Sequence, residues 1–242
     1  MSAAGRISVF LDLDDTLLDF HRAEAEALSR ALREMGVEPE PELLRRYSEI
    51  NRRQWELLEE GLLTRDQVLL RRFELLFQEF GLALSAPELR DRYERNLAIG
   101  HYFIPGAEAL LETLSGPCDL YIASNGTASV QDGRIASAGI APYFKAIFVS
   151  EDLGANKPER AFFEGCFRRI PGFDPTRAIV VGDSLTSDIR GGINAGLLTC
   201  WFNPQGKPGR RDIRPDHEIR ALSDLPPLLE RLFGVPMEEI TE

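Results

Sequence analysis

The sequence predicts an α/β fold: a parallel sheet covered by helices on both faces, interrupted near its start by an inserted helical bundle. Three observations predict it. The run Val9-Phe10-Leu11-Asp12-Leu13-Asp14-Asp15-Thr16-Leu17-Leu18 opens as a buried strand and then delivers three carboxylates within four residues. Residues 21–102 place apolar side chains at helical spacing with no strand signal among them. From about residue 103, short apolar runs alternate with helical stretches, the pattern of parallel strands joined by helices.

In chain order, the first strand lies near residues 7–12. Ala27, Leu28, Ala31, Leu32 and Met35 then recur at helical spacing, and Gly36 stands where a C-terminal cap belongs. A second helix starts after Pro39 and Pro41, carries Leu43, Leu44, Tyr47 and Ile50, and runs through Trp55 towards Gly61. Thr64 with Gln67 reads as a capping box, after which Leu69, Phe73, Leu76, Phe77 and Phe80 form one stripe ending at Gly81. Ser85 and Glu88 repeat the box and open a fourth helix through Leu89, Tyr93 and Leu97. Strands are expected at 120–123, 146–149, 179–181 and 198–202. Helices are expected near 107–115, 127–139, 158–170, 187–196 and 224–233. A helical bundle cannot satisfy the first strand, so that strand joins the later sheet. The expected domains are therefore a core of residues 1–18 and 103–242 and an inserted helical domain of residues 19–102. The acidic tail, Glu238 to Glu242, is expected to be solvated or frayed.

With 242 residues the chain is long enough to bury a substantial core, and its charge of −11 argues against a nucleic-acid polymer or an anionic membrane as partner. A small anionic substrate remains compatible if cations neutralise it locally. Three of the 28 basic residues are lysines, Lys145, Lys157 and Lys207. Cys118, Cys166 and Cys200 form no C-x-x-C pair and read as reduced, buried thiols. The apolar run after Arg6 is too short for a signal peptide and no run is long enough to span a membrane, so a cytoplasmic location is expected.

Burying uncompensated negative charge is costly, so the carboxylates ending the first strand call for a cation. In open α/β sheets ligands sit beyond the carboxyl ends of the strands, which makes a divalent-metal site with a reactive carboxylate one reading. An acidic turn that caps a helix is the other. Three later strand ends bear on the choice. Ser124-Asn125-Gly126 offers a hydroxyl, an amide and backbone N–H groups at a helix start, suited to a phosphate or to a plain N-cap turn. Lys157-Pro158 precedes another helix, where the ammonium either meets an anion or is solvated. Gly182-Asp183-Ser184 with Asp188 supplies two acids around a helix start, as capping groups or as oxygen ligands for Mg²⁺.

As an ordered set, Asp-x-Asp-x-Thr, then Ser, then Lys-Pro, then Gly-Asp-(x4)-Asp resembles the four motifs of the haloacid dehalogenase-like (HAD) hydrolase superfamily. The resemblance spans nearly the whole chain and implies a Rossmann-like parallel core with a C1-type helical cap. It implies Asp12 as the nucleophile that forms an aspartyl phosphate, and Asp14 as the general acid and then base. Mg²⁺ would be held by Asp12, the Asp14 carbonyl and Asp183, with Asp188 acting directly or through water. Ser124, Asn125 and Lys157 would hold the phosphoryl oxygens, Lys157 also keeping Asp12 ionised. Many members carry glycine where this chain has Asp15.

Asp14 separates phosphoryl transfer from dehalogenation, because a halide leaves without a proton. The insertion from Ile50 through Arg72-Phe73 resembles the cap of bacterial HAD pyrimidine 5′-nucleotidases, implying a nucleoside monophosphate as substrate; a monomer and a homodimer are both compatible with the sequence. Trp55 or Phe20 would stack on a base and Arg72 would meet a polar edge; alternatively Trp55 fills the bundle core and Arg72 is solvated. His21 reads as structural. Competing readings are a sugar-phosphate phosphatase or phosphomutase of the same superfamily, a phospho-accepting signalling domain, and a catalytically silent binding protein.

Overall fold

In a computed structural model the described residues are 6–237; the acidic tail lies outside them. They divide into two units, one of residues up to Asp19, Phe103–Ala128 and from Gly139 onward, the other of Phe20–Tyr102 and Ser129–Ala138.

The first unit is built on six strands, β1 (Ile7–Leu11), β2 (Cys118–Ser124), β3 (Phe144–Val149), β4 (Ala178–Gly182), β5 (Leu198–Phe202) and β6 (His217–Ile219). They pair in the order β3-β2-β1-β4-β5-β6, all parallel. The chain winds outward from β1 in one direction, then returns to β1's other side at β4. That reversal leaves a crevice beyond the carboxyl ends of β1 and β4. Every residue of β1 and of β4 is buried, as expected of central strands covered on both faces. Phe10 anchors one face, stacked on Tyr121 with centroids 5.1 Å apart and meeting Phe163 edge-on at 6.0 Å.

Strand β6 has no counterpart in the sequence expectation. It is three residues long at the sheet edge and buries only Ile219, so it offers no alternation to detect. The helix expected at 158–170 is shorter and the one expected at 187–196 is divided. The first becomes α8 (Arg160–Phe167), and the second divides into a π turn at Leu185–Ile189 followed by α9 (Arg190–Ala195). The remaining helices of this unit are α5 (Ala107–Ser115), the single turn α7 (Ser150–Leu153) and α10 (Leu225–Phe233).

The helical unit contains α1 (Phe20–Glu34), α2 (Pro41–Glu59), α3 (Arg65–Phe80) and α4 (Ala86–Leu97), with α6 (Ala128–Ala138) adding Val130 to their apolar core. At its centre Tyr47 stacks on Phe73 at 5.3 Å, and Tyr93 meets both edge-on. The Thr64–Gln67 box forms in both directions. The second box is half made: Ser85 accepts from the Glu88 N–H, but the Glu88 carboxylate is drawn one turn onward to Arg92. The chain leaves and re-enters the first unit side by side, the Ile104 N–H donating to the Leu17 carbonyl at 2.9 Å.

Candidate active site

The Asp12 N–H donates to the Val181 carbonyl at 2.9 Å, extending the β1–β4 ladder one residue and setting Asp12 beside Gly182 and Asp183. Past Asp12 the chain folds into a tight loop in which Leu17 and Leu18 both donate to the Leu13 carbonyl. Asp15 takes φ +60 there, the left-handed region that favours glycine. This accounts for the residue at which the resemblance departs from glycine, since Asp tolerates that region better than most side chains.

Asp12, Asp183 and Asp188 each present a carboxylate oxygen within 4.8 Å of the others, Asp12 and Asp188 buried and Asp183 partly so. Lys157 lies among them, 1% exposed. Its ammonium donates to Asp12 Oδ1 at 2.7 Å, to Asp188 Oδ1 at 2.6 Å and to the Ala123 carbonyl at 2.5 Å. All three of its protons are thereby committed. Burial alone would push this lysine's pKa down, but the charges of Asp12 and Asp188 outweigh it and raise it. Asp12 is pushed up from 3.8 to about 8 by burial, Lys157 opposing and Asp188 and Asp14 adding to the rise. The expectation that Lys157 keeps Asp12 ionised therefore needs a further cation. Three carboxylates against one ammonium leave a deficit that a divalent ion would match.

Each acid has its own support. Asp188 Oδ2 accepts from the Ser184 N–H at 3.0 Å, and its carboxylate lies so close to Gly182 that a Cβ there would overlap it. Asp183 is held through its backbone: its N–H donates to Thr16 Oγ1 at 3.2 Å, and its carbonyl accepts from Trp201 Nε1 at 2.9 Å. Its carboxyl is pushed well up by burial and by Asp188, Asp12 and Asp15. Trp201 and the Thr16 contact were not foreseen from sequence, because an aromatic within the apolar run 198–202 reads as strand core.

Ser124 is buried at the end of β2. Asn125 is engaged with Lys157: its Oδ1 accepts the Lys157 N–H and its Nδ2 donates to the Lys157 carbonyl, both at 2.8 Å, with a longer contact to Ser187 Oγ. This amide therefore fixes the lysine's backbone. At the start of α6 the Ala128 N–H donates to Glu151 at 2.7 Å, so a carboxylate already occupies part of the expected phosphate cradle.

Phe20, Trp55 and Arg72 belong to the helical unit. Arg72 is 3% exposed and not solvated. It donates to Asn51 Oδ1 at 3.1 Å, lies 3.6 Å from Glu94, and rests over the Phe73 and Tyr93 rings. Trp55 is half-buried outside the aromatic centre, its Nε1 donating to the same Asn51 oxygen, while Asn51 Nδ2 donates to buried Glu24 at 2.6 Å. Phe20 packs on the apolar core with the Arg134 guanidinium over its ring. His21 is exposed on the first turn of α1. Cys118, Cys166 and Cys200 are free and buried, each thiol pushed up to about 12 by burial. Among the described residues no helix is long and apolar enough to cross a membrane.

A doubly wound α/β core, a helical insertion after its first strand, and a carboxylate–lysine centre at the strand ends together match the architecture of one class of hydrolases. The chain belongs to the haloacid dehalogenase-like hydrolases, a family description that matches residues 8–196. It is 42% identical to YfnB of Bacillus subtilis, named a HAD-hydrolase, over 90% of this chain and 93% of that one. The crystal structure of YfnB bound to magnesium superposes with a TM-score of 0.88 over 93% of this chain and 98% of that chain; its authors describe interdomain movement. Pyrimidine 5′-nucleotidase PynA of Streptococcus pneumoniae is 37% identical over 96% of this chain and 98% of that protein. Pyrimidine 5′-nucleotidase YjjG of Escherichia coli is 30% identical over 91% and 96%.

Proposed function

We propose that this protein is a Mg²⁺-dependent phosphomonoester hydrolase acting on nucleoside 5′-monophosphates, with pyrimidine nucleotides preferred. The observation that carries the reading is the Asp12–Asp183–Asp188 cluster around Lys157 at the carboxyl ends of β1 and β4. Near full-length similarity to two pyrimidine 5′-nucleotidases supports the choice of substrate.

The donor set fits Mg²⁺: hard carboxylate oxygens, partly desolvated, carrying more negative charge than Lys157 offsets. Asp12 and Asp183 would hold it with the Asp14 carbonyl, Asp188 assisting. When bound, the ion would keep the carboxylates ionised and stabilise charge on the phosphoryl oxygens. Asp12 attacks phosphorus, the P–O bond to the leaving group breaks, and Asp14 gives that oxygen a proton. Asp14 then takes a proton from water, which attacks the aspartyl phosphate and restores Asp12. Ser124 and Lys157 hold phosphoryl oxygens, Lys157 exchanging one of its present hydrogen bonds to do so. Asn125 acts by fixing the Lys157 backbone. Residues 19–102 form the cap, where Trp55 and Phe20 are candidate base contacts. Arg72 serves mainly to order Asn51 and Trp55.

The test is Mg²⁺-dependent phosphate release across nucleoside monophosphates and sugar phosphates, with Asp12→Asn as control. Preference for pyrimidine monophosphates is expected. Turnover of sugar phosphates alone would keep the chemistry and discard the nucleotidase reading.

A further inference from the structure

Lys207 shares an unusual setting with Lys157. Asn203, 2% exposed just past the end of β5, accepts the Lys207 N–H on Oδ1 at 2.8 Å and donates from Nδ2 to the Lys207 carbonyl at 3.0 Å. Asn125 makes the same two bonds to the Lys157 backbone. In both cases the spare amide proton reaches a further side chain, Glu218 for Asn203 and Ser187 for Asn125. Two of the chain's three lysines are thus set at the carboxyl ends of the sheet by the same bidentate amide clamp.

The clamp closes a tight turn. The Gly206 N–H donates to the Asn203 carbonyl at 3.1 Å, Gly206 adopts φ +64, and the Arg220 guanidinium lies over it. The turn is tied to the acidic centre through β5, which pairs with β4 at Gly182 and Trp201, and Trp201 in turn holds the Asp183 carbonyl. Lys157 is buried with every proton committed, whereas the Lys207 side chain is exposed and, among the described residues, forms no ion pair. The turn leaves β5 at the carboxyl edge of the sheet, the same edge at which β4 ends in Gly182, followed by Asp183.

We propose that Lys207 is a substrate-binding residue that recruits the phosphate dianion of the incoming phosphomonoester, with Asn203 as its positioning residue. This rests on the phosphomonoesterase reading above. A dianion approaching a protein of charge −11 and a strand end crowded with carboxylates meets repulsion before it reaches Lys157. A cation whose backbone is already fixed offsets that repulsion with less ordering cost on binding.

The experiment compares Lys207→Gln and Lys207→Arg with wild type in steady-state hydrolysis, from about 20 mM to about 300 mM NaCl. For Lys207→Gln, KM is expected to rise roughly 3- to 10-fold at low salt, with kcat within about twofold and the KM difference shrinking as salt screens it. Lys207→Arg should restore most of the loss. An unchanged KM in Lys207→Gln, or a fall in kcat alone, overturns the inference. If wild type hydrolyses no phosphomonoester, it is the functional reading that fails. Calorimetric titration with inorganic phosphate then decides Lys207: weaker binding to Lys207→Gln supports the site, and equal binding overturns it.

Discussion

Lys157 illustrates how little one side chain can be read apart from its partners. In sequence it is a lysine before a proline; in the fold it is buried and donates to two carboxylates and a carbonyl. Replacing it with methionine leaves Asp12 and Asp188 buried without their counter-charge. Lys157→Met should therefore lose about 3–5 kcal/mol in urea denaturation at neutral pH. The loss should be larger at pH 9 than at pH 6, since Asp12 holds its proton below about 8. Asp12→Asn should retain the fold while turnover falls by at least about 10⁴-fold, checked by phosphate release beside circular dichroism. At Gly182 the added methyl of alanine would collide with the Asp188 carboxylate. Gly182→Ala should cost about 1–3 kcal/mol and also reduce the Mg²⁺-induced rise in melting temperature, which separates displacement of Asp188 from general overpacking.

At the scale of elements, local signals held where the partner was local. The Thr64–Gln67 box closes within four residues of chain and forms as its spelling predicts. Ser85–Glu88 has the same spelling, but Arg92 lies one helical turn from Glu88 and outcompetes the N-cap backbone for its carboxylate. Thr64→Ala should accordingly cost about 1 kcal/mol and Ser85→Ala less, a comparison that urea titration followed by helix ellipticity can resolve. The helical unit also contains polar contacts no periodicity announces. Glu24, Asn51, Arg72 and Trp55 come from three helices and meet through one amide. Asn51 looks like an ordinary helix-surface residue in sequence; it is central because α1 and α3 both deliver charge to it. Strand β6 was illegible for the opposite reason, since three edge residues with one buried side chain carry no pattern.

For the molecule as a whole, the carboxylate cluster links metal, pH and stability. Asp12 binds its proton more tightly in the folded chain, about 8 against 3.8, and Asp183 shifts in the same direction. Without metal the folded state then holds more protons than the unfolded state between those values. The stability Asp12 contributes is full below 3.8 and is lost as pH rises through about 8, and Asp183 acts in the same direction. On the proposed reading, Mg²⁺ would take the place of the protons. Its effect on melting temperature should be small near pH 5.5 and grow towards about pH 8.5, measured by thermal shift with and without Mg²⁺. A gain independent of pH would count against metal binding by these carboxylates.

The sequence by itself determined the fold class, the position of the helical insertion, and the order of acid, hydroxyl, lysine and acid along the chain. These are carried by apolar periodicity and by short motifs whose parts are neighbours in sequence. Only the tertiary structure decided which groups neutralise one another. It drew Lys157 into the acids, turned Asn125 and Asn203 into clamps on two lysines, set Trp201 against Asp183, and buried Arg72. Those outcomes depend on strand register and on desolvation, which raises a carboxylate's pKa or fixes a cation only when distant segments close around it.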